Sequence, residues 1–340
     1  MTEPGAPAEQ SSVGPTCYRH ADRGTGVRCT RCDRYICPEC MTEASVGFQC
    51  PDCVKAGAKS VRHARTIAGG RVTGDPGQLT RVLIGLNVAV FLLAIATAGG
   101  ADLFGSRITP LHERFADVGV VACGDRTAGC RPGELIGVAT GEYYRLITSM
   151  FLHFGPFHLL LNMYALLMVG EQVERALGKW RFVALYLLAG LGGNALSYTF
   201  GSTNTFSAGA SGAVFGLFGA YFVIQKRLRH DSSQMARLIL INVVIGFVFR
   251  GYIDWRAHLG GLAAGAALVA LFAYVGGRGR RRDVVHTAGA VALLAVLLIV
   301  IGSRTASLRE RFDLDGSGQP RLAQSAGTGL PVDRGEPHQR

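Results

Sequence analysis

The chain has 340 residues, 49% of them hydrophobic and only 17% charged, with a formal net charge of +11. A soluble domain carries about 25% charge, so this balance leans toward a membrane protein. The Lys and Arg excess flanks long apolar runs, which favours a topological role for it and argues against a nucleic-acid partner.

Residues 1–16 are polar and rich in Pro, Gly and Ser, without the apolar core of a secretory signal, and read as a disordered, cytoplasmic N-terminus. Residues 17–54 are a cysteine-rich block. Its candidate ligands pair as Cys17/His20, Cys29/Cys32, Cys37/Cys40 and Cys50/Cys53, with two residues inside each pair. That gap lets both side chains of a pair reach one tetrahedral ion, so four pairs supply two structural Zn²⁺ sites with no position open for catalysis. Disulfides are the alternative, and a reducing compartment disfavours them. So short a block holds little apolar surface, and metal would supply most of its folding free energy. The block resembles the B-box zinc fingers, whose pattern opens with Cys-x2-His. Its last pair is Cys50/Cys53, where that family usually has two histidines. The resemblance implies a cross-brace, pairs one and three on one ion and pairs two and four on the other. It also implies a module that binds a cytoplasmic protein partner.

A polar, basic linker over 55–79 precedes the apolar runs, which are judged against the ~20 residues needed to span a bilayer. They are Val82–Ala98, Leu146–Gly170, Phe182–Gly201, Phe206–Gln225, the short Leu238–Phe249, Ala257–Gly277 and His286–Gly302. The expected fold is therefore an all-α polytopic membrane protein. Six spans occupy 80–280, a seventh covers 284–303, and a disordered tail runs over 304–340. Arg175, Lys179 and Arg181 follow the second run, Lys226, Arg227, Arg229 and Arg237 the fourth, and Arg278 to Arg282 the sixth. Positive residues favour the cytoplasm, which puts the N-terminus inside and the C-terminus outside the cell membrane. The loop 99–145 then faces outward, where Cys123 and Cys130 can close a disulfide.

Polar groups at membrane depth are costly and ask for a reason. The second run contains His153, His158 and Asn162, the fourth Ser211 within "GASG", and the sixth starts at "AHLGG" with His258. Singly, each has a plain explanation in helix packing or interfacial placement. Together they form a set for acyl transfer: Ser211 as nucleophile, His258 as base, and His158 with Asn162 as oxyanion donors. The runs carrying Ser211 and His258 hold no carboxylate, which favours a dyad over a triad. Gly261 and Gly265 share a helical face with His258, and Gly212, Gly216 and Gly219 line the Ser211 helix. Two such faces let backbones meet closely, so the packing is what makes a dyad feasible.

"HFGPFHLLLN", "GASG" and "AHLGGLAAG", in this order, resemble the rhomboid intramembrane serine proteases over about residues 80–280. The resemblance implies a six-helix core that cleaves transmembrane substrates near the extracytoplasmic face, with Ser211 and His258 as a dyad needing no cofactor. It implies oxyanion assistance by His158 and Asn162 and support from His153. Tyr144 and Arg145 fill the positions of a first-loop Trp-Arg pair, and Glu174 matches a structural glutamate. Phe215 stands where the family often has a tyrosine under the histidine. A catalytically silent chaperone or adaptor of the same fold is the alternative, although both dyad residues are kept here. A transporter would need charged spans or internal repeats, and neither occurs.

Overall fold

The computed structural model describes residues 14–60, 66–69, 75, 77–98, 108–124, 130–275 and 279–321. The chain divides into two compact units, Met1–Ala64 and Arg65–Arg340. The first carries a hairpin, β1 (Thr42–Glu43) with β2 (Phe48–Gln49), followed by helix α1 (Pro51–Ser60). Buried Ile36 and six buried cysteines form nearly all of its interior. That composition leaves little apolar area to hold the unit together. α1 continues past residue 54, so the expected linker begins as helix. Most of the disordered segment expected over 1–16 lies outside the described residues, and Thr16 at its end pairs with Gly24.

The second unit is helical apart from one hairpin. Helix α2 (Gln78–Thr97) is followed by a long loop, here loop 1, with a short helix α3 (Pro110–Phe115) and strands β3 (Val121–Ala122) and β4 (Leu135–Ile136). Then come α4 (Arg145–Thr148), α5 (Gly155–Leu177), α6 (Lys179–Phe200), α7 (Ser211–Arg227), α8 (Ser233–Val248), α9 (Trp255–Tyr274) and α10 (Arg280–Arg311). Among the described residues four helices are long and apolar enough to cross a membrane, α2, α6, α9 and α10, or five if the bent pair α4–α5 is one span; α7 and α8 are shorter, at 17 and 16 residues.

The apolar pattern placed these helices, and local backbone chemistry moved their ends. The run expected as one span from Leu146 to Gly170 is broken: α4 and a 3-10 turn, Ser149–Phe151, lie at 90° to α5. Gly155 takes φ +78 and Pro156 follows it, so α5 can start only there. It then runs through the polar "GEQVER" to Leu177, where Gly178 at φ +83 makes the turn into α6. The tail expected to be disordered from 304 is ordered as far as it is described. α10 continues to Arg311, and Leu308 and Leu314 are buried against Val138, Ala139 and Tyr198. Residues 322–340 lie outside the described residues.

α7 packs most extensively against α9 and α6. Leu185, Leu217, Val269 and Phe272 fill the interior between them. The opposite faces are apolar and exposed: Phe157 is 72% exposed and Leu161 69% on α5, and Ile299 70% on α10. Contiguous exposed apolar surface of this extent belongs in lipid. α10 is fixed at both ends by polar contacts. Arg181 donates to Asp283 Oδ1 at 2.7 Å and to His286 Nδ1 at 3.1 Å, and His286 Nε2 donates to the Val275 carbonyl at 3.0 Å. At the far end Tyr198 and Thr305 exchange a hydrogen bond of 2.9 Å, and Arg309 donates to the Ala139 carbonyl at 2.9 Å.

Candidate active site and metal centres

α7 starts at Ser211 rather than at Phe206, and Gly209 is the reason. Its φ of +138 is a conformation that side chains resist, so the chain from Phe206 to Ala210 stays out of the helix. Ser211 thereby becomes the first residue of α7. Its backbone N–H is one of the four that a helix start leaves without an internal acceptor, at the positive end of the helix dipole.

The turn at Gly209 is packed against His158. A methyl on Gly209 would lie 2.7 Å from His158 Cε1, 2.8 Å from Nε2 and 3.8 Å from the Ser211 nitrogen. The His158 imidazole edge and the Ser211 amide nitrogen therefore both lie close to Gly209. His153, buried, accepts from the Ala210 N–H through Nε2 at 3.4 Å, and its ring meets His158 edge-on at 5.1 Å. Gly209 N–H donates to the Ser149 carbonyl at 2.9 Å. The bent segment before α5 thus holds the turn from below. Asn162 sits one turn along from His158 and donates through Nδ2 to the His158 carbonyl at 2.9 Å, leaving its second N–H for another acceptor.

His258 lies in the first turn of α9, stacked on Phe215 of α7 at 4.0 Å and 12° between planes. Phe215 thus supplies a ring face under the histidine. His258 Nδ1 is buried without a partner. Ser211 and His258 are brought to adjoining places by glycine contacts between their helices. The Cβ position of Gly212 lies 3.4 Å from the Ala257 carbonyl, and that of Gly261 only 1.9 Å from the Gly212 carbonyl. So the residue after Ser211 touches the residue before His258. No hydrogen bond joins the two side chains in this state.

Several contributors at this end, Arg145 apart, carry no local sequence signal. Asp254 caps α9, accepting from the Ala257 N–H at 3.2 Å through Oδ1 and from the Ser207 hydroxyl at 2.8 Å through Oδ2. Asn194 on α6 donates to the Leu146 carbonyl at 2.7 Å and to Ser149 Oγ at 2.9 Å. His112 of loop 1 stacks on Phe154 at 4.7 Å, and burial pushes its imidazole pKa down. Arg145 is buried and donates to Glu142 Oε2 at 2.8 Å and to the carbonyls of Glu113 and Ala116 at 2.8 and 3.0 Å. Loop 1 is thus pinned to the start of α4. At the opposite end Glu174 accepts from the backbone N–H groups of Leu79 and Thr80 at 3.2 and 3.0 Å, capping α2.

In loop 1 a disulfide joins Cys123 and Cys130, and the other seven cysteines are free. These seven and His20 gather into two tetrads, Cys17/His20/Cys37/Cys40 and Cys29/Cys32/Cys50/Cys53. Each could hold a metal ion, and the division is pair one with three and pair two with four. His20 Nδ1 lies 3.3 Å from Cys37 Sγ and 3.5 Å from Cys40 Sγ, and Cys32 Sγ lies 3.7 Å from Cys50 Sγ. A tetrahedral ion with metal–sulfur bonds of about 2.3 Å sets its ligand atoms about 3.8 Å apart, so these spacings fit one. Backbone N–H groups of Cys50 and Cys53 donate to Cys29 and Cys50 Sγ, and Arg34 Nε donates to Cys32 Sγ at 3.3 Å. Donors aimed at sulfur are what metal-bound thiolates require.

Residues 140–275 match the family model of the rhomboid domain. Over 140 residues, 40% of this chain and 70% of the relative, the chain is 39% identical to the rhomboid relative YdcA of Bacillus subtilis (strain 168). It is 42% identical over 142 residues to "Rhomboid protease GluP" of the same organism, which it covers over 27% of that protein's length. "Rhomboid protease AarA" of Providencia stuartii is 26% identical over 263 residues, 67% of this chain and 84% of the relative. The chain belongs to the rhomboid family, and with its exposed apolar helices it is a multi-pass membrane protein.

Proposed function

We propose that the protein is an intramembrane serine endopeptidase acting through a Ser211–His258 dyad. The observation that carries this reading is the junction of α7 and α9. There Gly212, next to Ser211, packs on the carbonyl of Ala257, next to His258, while His258 stacks on Phe215 of the Ser211 helix and His158 lies against Gly209 just before it. In the reaction Ser211 Oγ attacks a scissile carbonyl while His258 takes its proton. The C–N bond then breaks, the leaving amine receives that proton, and water releases the acyl group from Ser211 by the reverse roles. The Ser211 amide, His158 and the second Asn162 N–H serve as donors to the oxyanion, in a water-poor site where such donors act with little screening. His153 supports the turn through Ala210. Asp254 gives its oxygens to other donors, which favours a dyad.

Substrates are transmembrane proteins, cut near the face carrying loop 1. That face is extracytoplasmic, with the N-terminus in the cytoplasm, by the basic residues between spans. Seven spans cross the cell membrane: α2, the bent α4–α5 pair and α6 to α10. The two cysteine tetrads each hold a structural Zn²⁺, which supplies folding free energy to a small B-box-like module and takes no part in cleavage. The module serves to bind a cytoplasmic protein partner.

The test is cleavage of a membrane-tethered reporter by the full chain in proteoliposomes. Ser211→Ala and His258→Ala are expected to abolish cleavage at unchanged protein level, and retained cleavage by either would overturn the assignment.

A further inference from the structure

Asp254 is tied to three elements at once. Through Oδ1 it caps α9, through Oδ2 it accepts from the hydroxyls of Ser207 before α7 and Ser197 on α6, and its carbonyl accepts the His258 N–H at 3.3 Å. Beside it lies Asp117 of loop 1, 3% exposed, with Oδ1 buried and unpartnered. Asp117 pairs with Ser207 along the backbone in both directions, at 2.9 and 2.7 Å. Ser207 therefore stands between the two acids, bonded to one through its backbone and to the other through its hydroxyl.

We propose that Asp254, joined through Ser207 to the buried carboxyl of Asp117, is the positioning residue for His258. The proposal rests on the dyad reading and adds a dependence on pH. Two carboxylates in one dry site cannot both ionise cheaply. Asp254 receives three N–H or O–H donors while Asp117 Oδ1 receives none, so Asp117 is the member that keeps a proton. Burial and the neighbouring Asp254 push Asp117 up to about 8, opposed by Arg145. Among the described residues Tyr198 of α6 also faces it. Arg145 does not neutralise the pair, because its guanidinium is committed to Glu142 and two loop carbonyls. Once Asp117 ionises, repulsion acts on Ser207 and Asp254. These residues hold the chain leading to Ser211 and the turn carrying His258.

The sign follows from the raised carboxyl. Its contribution to stability is complete below the unfolded value of 3.8, is lost progressively as pH rises toward about 8, and is gone above that. Above that midpoint a step needing the protonated pair slows about tenfold per pH unit.

The experiment is a pH series on the full chain in proteoliposomes, reading reporter cleavage and thermal midpoint for the wild type, Asp117→Asn and Asp254→Asn. Wild-type kcat should fall above about pH 8, and the thermal midpoint should fall between the unfolded value and about pH 8 and then level off. Asp117→Asn, whose amide imitates the neutral acid, should lose both falls and cleave about tenfold faster than wild type at about pH 9. Asp254→Asn, still a good helix cap, should lower kcat with KM unchanged and flatten the fall in thermal midpoint below about pH 8. An alkaline fall that persists in Asp117→Asn overturns the proposal, as does an Asp254→Asn protein with wild-type kcat. A wild type that neither cleaves nor reacts with a serine probe removes the dyad reading and any positioning role with it. The thermal midpoints then report the carboxyl pair independently.

Discussion

Ser211 owes its position to Gly209 two residues earlier, and that dependence can be tested at single atoms. Gly209→Ala sets a methyl 2.7 Å from His158 and demands a φ of +138 that alanine resists. If His158 is an oxyanion donor, the expected loss in kcat is roughly 10²-fold, the scale of removing one such donor. The check is reporter kinetics beside a thermal midpoint; wild-type kcat in a folded variant contradicts it. Ser211, His258, His153, His158 and Asn162 were legible in the sequence because each is a costly polar group inside an apolar run. Asp117, Asp254, Asn194 and His112 were not. They lie in loops or at helix ends where polar residues are ordinary, and their importance comes from partners far along the chain.

At the scale of helices, hydropathy located each run but set several starts wrongly, α8 and α10 beginning earlier than expected at Ser233 and Arg280. A bent segment replaces the beginning of the second run, and an extended turn replaces the beginning of the fourth, because Gly155–Pro156 and Gly209 set the backbone there. Hydropathy has no term for such conformations. The glycine faces, in contrast, were readable and are where the backbones meet. Without a hydrophobic drive between helices in lipid, such close contact is what associates them. Gly261→Ala puts a carbon 1.9 Å from the Gly212 carbonyl and should force α7 and α9 apart. We expect a loss of about 1–3 kcal/mol, the usual cost of overpacking, read as a lower thermal midpoint. Gly302→Ala on α10 meets nothing within 4 Å and serves as the control, with no loss expected. Equal midpoints for the two variants would refute the packing account.

For the whole molecule, the two units rely on different physics. The N-terminal unit has a core made largely of cysteine, so its stability should come from metal. Metal analysis of the purified full chain should find two zinc ions, and chelation should expose all seven free cysteines to alkylation. Zinc-free protein with the same cysteines protected would contradict this. The four ligand pairs followed from spacing, and their division between two ions from the resemblance alone. The ordered segment beyond Ser303 did not, because a charged, glycine-bearing stretch has no apolar period to mark it. Leu308, Leu314 and Arg309 dock it on loop 1 through single contacts. Arg309→Ala should loosen that contact and speed hydrogen exchange around Ala139; unchanged exchange there would count against a clamping role for α10.

The central claim is that Ser211 is a nucleophile activated by His258. The most direct measurement is labelling of the full chain in membranes with a fluorophosphonate probe, located by peptide mass spectrometry. The account predicts one adduct on Ser211, absent in Ser211→Ala and strongly reduced in His258→Ala. Labelling that leaves Ser211 unmodified, or that is equally strong in His258→Ala, would contradict it.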